Sequence, residues 1–118
     1  MLKPIALALA TVLAVPYGAP ARAAGVVYLS CPFTDASGPF PVEVTLYEAD
    51  GRVVLYRPKN GFTSRLAAVF TPDRVLFSEG DGHYVLSRVD LSIDRTVDVL
   101  QRTDRVRCTI LATPKRAF

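Results

Sequence analysis

Short runs in which apolar and polar residues alternate constrain this chain more than any other feature of its sequence. Val42, Val44 and Leu46 would lie on one face of an extended chain, with polar residues between them on the other. A period of two residues predicts a half-buried β-strand. The following Asp50-Gly51 pair predicts a tight hairpin turn, after which the chain returns as a second strand.

Runs of this kind recur about every eight to twelve residues, with Gly, Pro and Asp residues between them. The predicted strands cover residues 26–31, 41–48, 52–57, 74–79, 83–93, 96–100 and 105–112. Alternation predicts that Val89, Val99 and Ile110 face inward. The sequence therefore predicts an all-β fold, a small antiparallel barrel or sandwich of about seven to eight short strands.

Residues 63–70 fit two patterns. Leu66, Ala68 and Phe70 would share one face of a strand, whereas Leu66, Val69 and Phe70 would share one face of a helix. Because the segment is short and bounded by glycine and proline, we favour a strand.

Residues 1–23 have the three parts of a secretory signal peptide. Lys3 supplies the positive charge, Ile5–Val15 is an apolar run, and an Ala-Arg-Ala cleavage pattern ends at Ala23. The apolar run is well short of the ~20 residues that cross a bilayer, so we expect no membrane span. We predict cleavage near Ala23, a single small β-domain over residues 24–118, and a periplasmic or secreted location in a bacterium.

Cys31 and Cys108 are the two cysteines of the chain, and they lie near the two ends of the predicted domain. An even cysteine count in an exported protein predicts a disulfide. A redox pair would be spaced Cys-x-x-Cys, and a zinc site would need three or four ligands, whereas His83 is the single histidine. We therefore expect one disulfide that closes the sheet, and no metal site.

The charge of the predicted domain is close to balance. The whole chain has a net charge of +3, but Lys3 and Arg22 fall in the predicted signal peptide, which leaves 12 basic and 11 acidic residues. Nucleic-acid binding needs a concentrated basic surface. We therefore expect no nucleic-acid partner.

The sequence carries no recognisable catalytic arrangement. His83 follows a glycine in an expected turn, without a Gly-x-Ser-x-Gly motif or a cysteine partner. Asp90, Asp94 and Asp98 are four residues apart, which on a strand separates neighbours by about 13 Å, too far for a catalytic carboxylate pair. We predict that the protein is not an enzyme and uses no cofactor.

Two groups of residues are candidates for contact with a partner. One is an expected loop with its flanks, and the other belongs to a basic stretch near the C-terminus, where residues 102–118 hold five Lys or Arg and one acid. An ordinary turn and a solvated outer face remain the alternatives. The candidates are Lys59, Asn60, Phe62, Ser64, Arg65, Arg105 and Arg107.

Cys31, Ser64 and residues 68–80 (Ala-Val-Phe-Thr-Pro-Asp-Arg-Val-Leu-Phe-Ser-Glu-Gly) resemble the periplasmic inhibitors of C-type lysozymes. The resemblance implies a small β-barrel with a cysteine near each end and loops that reach into a lysozyme cleft. The chain departs from that pattern because no glycine follows Ser64, tryptophan is absent, and Glu79 stands where a lysine is expected. An acid facing the catalytic carboxylates of a lysozyme would be repelled. Residues 93–96 and the terminal Phe are also similar to small exported bacterial proteins of unknown function.

These observations predict an exported, non-catalytic binding module, monomeric, with a periplasmic protein or a glycan as its unidentified partner. The alternative is an inhibitor of a C-type lysozyme or of a similar glycan-cleaving enzyme. In a domain of this size we expect side chains, not a ligand cavity, to fill the interior.

Overall fold

The computed structural model describes residues 25–112, and their regular structure is almost entirely β-strand. The strands are β1 (Val26–Cys31), β2 (Thr34–Asp35), β3 (Gly38–Pro39), β4 (Val42–Tyr47), β5 (Arg52–Arg57), β6 (Phe62–Phe70), β7 (Arg74–Glu79), β8 (Gly82–Ser87), β9 (Ser92–Val97), β10 (Arg102–Arg107) and β11 (Thr109–Leu111). Two short 3-10 turns, Glu48–Asp50 and Asp98–Leu100, connect strands. The predicted signal peptide lies outside the described residues.

Nine of these strands form one sheet in the order β10-β9-β8-β7-β6-β5-β4-β1-β11. Every neighbouring pair is antiparallel. Because β10 and β11 are separated only by Cys108, the two ends of this order belong to one stretch of chain. The sheet is therefore a nearly closed antiparallel barrel, which confirms the predicted all-β class. Strands β2 and β3 form a separate small hairpin.

The chain changes strand partners at Cys108. Before it, Val106 pairs with Ile93 of β9, and after it, Ile110 pairs with Leu29 of β1. The backbone N–H of Cys108 donates to the carbonyl of Leu91 at 2.9 Å. One bent strand thus connects both margins of the sheet.

A disulfide joins Cys108 to Cys31, as predicted. The two Cα atoms are 4.2 Å apart, and both residues are buried. The bond links the end of β1 to the bend between β10 and β11, so it fixes the place where the sheet closes.

The core lies inside this sheet, because alternate side chains of each strand point inward. Strands β4, β5, β7 and β8 supply most of it, and a phenylalanine from the loop after β1 adds to it. The largest fully buried side chains are Phe33, Leu29, Leu55, Leu86 and Ile93.

The segment that fitted both a strand and a helix is strand β6. Residues 62–67 pair with β5, and residues 68–70 pair with β7. Its burial alternates, with Ser64, Leu66 and Phe70 half-buried. The strand pattern was therefore the right interpretation.

The predicted strand over residues 83–93 is wrong, because the chain turns in its middle. The Ser87 hydroxyl accepts hydrogen bonds from the backbone N–H groups of Val89 and Asp90, at 3.1 and 3.2 Å. Leu91 then has a left-handed backbone, with φ of 66°. The turn leaves Val89 81% exposed, where alternation had predicted an inward side chain.

One further inward assignment is wrong. Strand β9 ends at Val97, and the 3-10 turn that follows leaves Val99 75% exposed. Ile110 keeps the predicted inward side, because it pairs with the buried Leu29, but its side chain stays 65% exposed. None of the described residues belongs to a helix long and apolar enough to cross a membrane.

Replacing both cysteines with alanine is expected to lower the free energy of unfolding by about 4–5 kcal/mol, because the bond closes a loop with a sequence separation of 77 residues. Urea titration followed by circular dichroism measures the loss. Reduced wild-type protein is the control and should show a similar loss. A double variant as stable as the oxidised protein would contradict the role given to this bond.

Asp90 holds the turn before β9 through its carboxylate. Its Oδ1 accepts the backbone N–H of Ser92 at 2.9 Å and the hydroxyl of the same residue at 2.8 Å. These bonds to Ser92, with a smaller effect of Ser87, lower the pKa of Asp90 from 3.8 to about 2. The carboxylate form therefore stabilises the folded state.

Acid should weaken this turn in a defined pH range. A lowered pKa means that the stabilisation is complete above about pH 4 and is lost as the pH falls toward about 2. In Asp90→Asn, which keeps an acceptor oxygen but does not titrate, melting temperatures measured from pH 5 to pH 2 should fall less steeply than in wild type. Asp50→Asn is the control, because that residue is exposed and its carboxylate makes no hydrogen bond or ion pair among residues 25–112. Equal slopes in wild type and Asp90→Asn would refute the interpretation.

Candidate functional site

The connections between strands alternate between the two ends of the barrel, because sequential strands are antiparallel neighbours. Residues 32–41, 58–61, 80–81 and 98–101 lie at one end, which we call the hairpin end because it carries β2 and β3. Residues 48–51, 71–73 and 88–91 lie at the other, which we call the open end.

Phe33 closes the hairpin end from inside. It is 1% exposed, and its ring meets that of Tyr84 edge-on at 6.4 Å between centroids. Tyr84 in turn stacks on Phe77 at 4.9 Å. The guanidinium of Arg95 lies 4.4 Å from the centre of the Phe33 ring, a cation–π contact. Aromatic rings and one cation therefore fill this end.

Ion pairs flank these rings. Arg57 pairs with Glu79, which also accepts a hydrogen bond from the Ser64 hydroxyl. Arg95 donates to Asp104 at 2.9 Å, and this bond lowers the pKa of Asp104 below its usual value. The contacts join β5 to β6 and β7, and β9 to β10. Each of the four ionic groups is thus already engaged within the domain.

The turn at residues 58–62, which we call the Phe62 turn, is held in place by its own polar groups. Lys59 Nζ donates to the hydroxyl of Ser37 at 2.7 Å and lies 5.3 Å from the centre of the Phe40 ring. Asn60 Oδ1 accepts the backbone N–H of Phe62 at 2.9 Å. Phe62 nevertheless stays 59% exposed. An ordered turn therefore presents an aromatic ring to solvent.

Ser64 and Arg65 lie on opposite sides of β6. The Ser64 hydroxyl faces the interior, where it donates to Glu79. Arg65 is exposed on the outer face of the strand. Of the five candidate residues in this part of the sequence, Lys59, Asn60 and Phe62 share the turn, whereas Ser64 and Arg65 do not belong to it.

Arg105 and Arg107 lie on β10, four strands away from β6 in the sheet order. Both are exposed, and Arg105 binds the carboxylate of Asp94 with two hydrogen bonds of 2.6 and 2.9 Å. These bonds lower the pKa of Asp94 and raise that of Arg105. The structure therefore does not bring the two groups of candidates together on one surface.

His83 has two partners that the sequence did not reveal. Its Nδ1 lies 2.8 Å from the Ser78 hydroxyl, and its Nε2 lies 2.7 Å from the carboxylate of Asp98. The pairing of Ser78 with His83 follows from the β7–β8 register, so a correct hairpin alignment would have found it.

The hydrogen-bonded side chains of Ser78, His83 and Asp98 lie on the outer face of the sheet. The His83 and Asp98 side chains are 47% and 60% exposed. Serine nucleophiles work in sites that exclude water and supply donors for the oxyanion. We interpret these hydrogen bonds as a surface link between β7, β8 and the turn at Asp98. Among residues 25–112, no group of three or more His, Cys, Asp or Glu side chains could hold a metal ion.

The open end contains a cavity of about 200 Å³ that extends into the barrel. Leu46, Phe70 and Leu86 line it, and Glu48 and Arg88 lie beside it. The expectation that side chains fill the interior is wrong at the open end, where this cavity reaches Leu46 and Leu86.

Comparison with protein-family models, with curated proteins and with solved structures finds no match to this chain. The resemblance to lysozyme inhibitors thus rests on the residues that carry it and stays a prediction.

Phe33→Ala is expected to destabilise the domain by about 3–5 kcal/mol, because the change removes a fully buried ring and leaves a cavity at the hairpin end. Phe62→Ala is the matched control and should change the free energy of unfolding by about 0.5 kcal/mol or less, since that ring is mostly exposed. Denaturant titration of both variants measures the difference. Similar values for the two would show that Phe33 does not close the barrel.

Proposed function

We propose that the chain is an exported, non-catalytic binding module whose hairpin end contacts a periplasmic protein or a glycan. The observation that carries the proposal is the Phe62 turn, where a 59% exposed ring stands on a backbone held by Lys59 and Asn60. Aromatic side chains provide much of the energy at protein interfaces. A turn that is already ordered loses little conformational entropy on binding.

Export is supported by two observations of different kinds. The disulfide between Cys31 and Cys108 suits an oxidising compartment. The pattern of residues 1–23 is that of a secretory signal peptide. Together they support a periplasmic or secreted location.

The proposal of a non-catalytic role draws on two partly buried ion pairs at the hairpin end. Arg57 engages Glu79, and Arg95 engages Asp104. A general acid or base must lie within hydrogen-bond distance of the substrate atom to which it gives, or from which it takes, a proton. Groups that already neutralise each other beside the core instead stabilise the scaffold that presents the Phe62 turn.

Inhibition of a C-type lysozyme or of a similar glycan-cleaving enzyme is the second candidate. A β-barrel with a disulfide between its ends is what the resemblance implies. Glu79 and Ser64 bind each other, so they are not free to enter an enzyme cleft. If the protein is an inhibitor, we expect the Phe62 turn to make the contact.

Binding by the Phe62 turn can be tested with the exported protein as bait in a periplasmic extract and with soluble glycan fragments in titrations. Phe62→Ala and Lys59→Ala should each raise the Kd of the partner by about tenfold or more, which corresponds to about 1.4 kcal/mol. Val89→Ala, exposed at the open end, is the control and should bind like wild type. Unchanged binding in Phe62→Ala, or no partner in either assay, would contradict the proposal.

A lysozyme turnover assay separates the two candidates. Inhibition by micromolar wild-type protein that is lost in Phe62→Ala supports the second candidate. Full lysozyme activity at that concentration rejects it and leaves the binding module.

A further inference from the structure

The cavity at the open end is almost entirely apolar. Leu29, Leu46 and Leu86, from three different strands, line its inner part, and Phe70 of β6 adds an aromatic wall. Apolar walls of this kind hold water weakly, because they offer it few hydrogen-bond partners. The mouth of a β-barrel is a common place for a ligand.

The apolar lining continues onto the surface. Val27 of β1 and Ile110 of β11 both line the cavity, yet they are 38% and 65% exposed. They belong to neighbouring strands, on which Leu29 pairs with Ile110. A ligand that fills the cavity can therefore extend past these two side chains without leaving apolar contact.

The two charged groups of the lining neutralise each other. Arg88 binds the carboxylate of Glu48 with two hydrogen bonds of 2.8 and 3.1 Å. One of its terminal nitrogens also donates to the carbonyl of Thr71 at 2.7 Å. The guanidinium lies 5.8 Å from the centre of the Phe70 ring. Because the two charges compensate each other, the lining offers no free charge to an ionic group, so the part of a ligand that enters the cavity should be uncharged.

We propose that the open end binds a neutral straight-chain hydrocarbon, with the end of the chain in the cavity and the rest emerging between Val27 and Ile110. A cavity of about 150 Å³ accepts benzene. The volume of about 200 Å³ therefore fits the last six to eight carbon atoms of a chain, by that same comparison. This site is separate from the Phe62 turn, which lies at the opposite end of the barrel.

Titration with 1-butanol, 1-hexanol, 1-octanol and 1-decanol tests the site, followed by the NMR shifts of the Leu46 and Leu86 methyl groups. Each added methylene that enters the cavity should lower the Kd about fourfold, the equivalent of about 0.8 kcal/mol. The gain should become smaller beyond about eight carbons, when the cavity is full. A Kd that keeps falling at the same rate through decanol, or the absence of saturable shifts, would overturn the proposal.

Ile110→Asp places a charge at the mouth and should raise the Kd of 1-octanol by about tenfold or more. Val99→Asp is the matched control, because Val99 is similarly exposed but belongs to a turn at the hairpin end. It should bind 1-octanol like wild type. Ile110 is a surface residue, so circular dichroism should show that both variants fold. Equal affinities in the two variants would place the alcohol elsewhere and refute the site.

Discussion

The change of strand partners at Cys108 is the constraint on which the rest of the structure depends. The sheet closes because one strand pairs with β9 before this residue and with β1 after it, and the disulfide to Cys31 holds that bend. A closed sheet has few unpaired edges and encloses its own core. In a small domain, which buries a modest share of its surface, a covalent link at the closure contributes much of the stability.

Closure also gives the barrel two chemically different ends. Phe33 and its aromatic neighbours fill the hairpin end, and paired charges surround them. The hairpin end can therefore present an ordered turn without rearrangement of the core. At the open end, Phe70 lines a cavity beside the Arg88–Glu48 pair. We infer that a contact surface and a small-ligand site occupy opposite ends of one scaffold.

Local alternation predicted the strands well where strand and turn signals agreed, as at 52–57 and 74–79. It failed at Val89, because apolar residues continue along the predicted strand through a turn that the Ser87 hydroxyl stabilises. At Ile110 it predicted the side shared with Leu29 but not the exposure of the side chain. The disulfide followed from the even cysteine count and the predicted export. The candidate contact residues could not be grouped from the sequence, because the distance between β6 and β10 depends on the order of strands in the sheet. One partner of His83, Ser78, likewise depended on the register of a hairpin.

The most direct test of strand exchange at Cys108 is the pattern of backbone proton contacts and amide protection by NMR in the oxidised protein. The structure predicts cross-strand contacts between Leu29 and Ile110 and also between Ile93 and Val106, with a slowly exchanging amide at Cys108 that is bonded to Leu91. Contacts on only one of the two sides, or a rapidly exchanging Cys108 amide, would contradict a sheet closed by one shared strand.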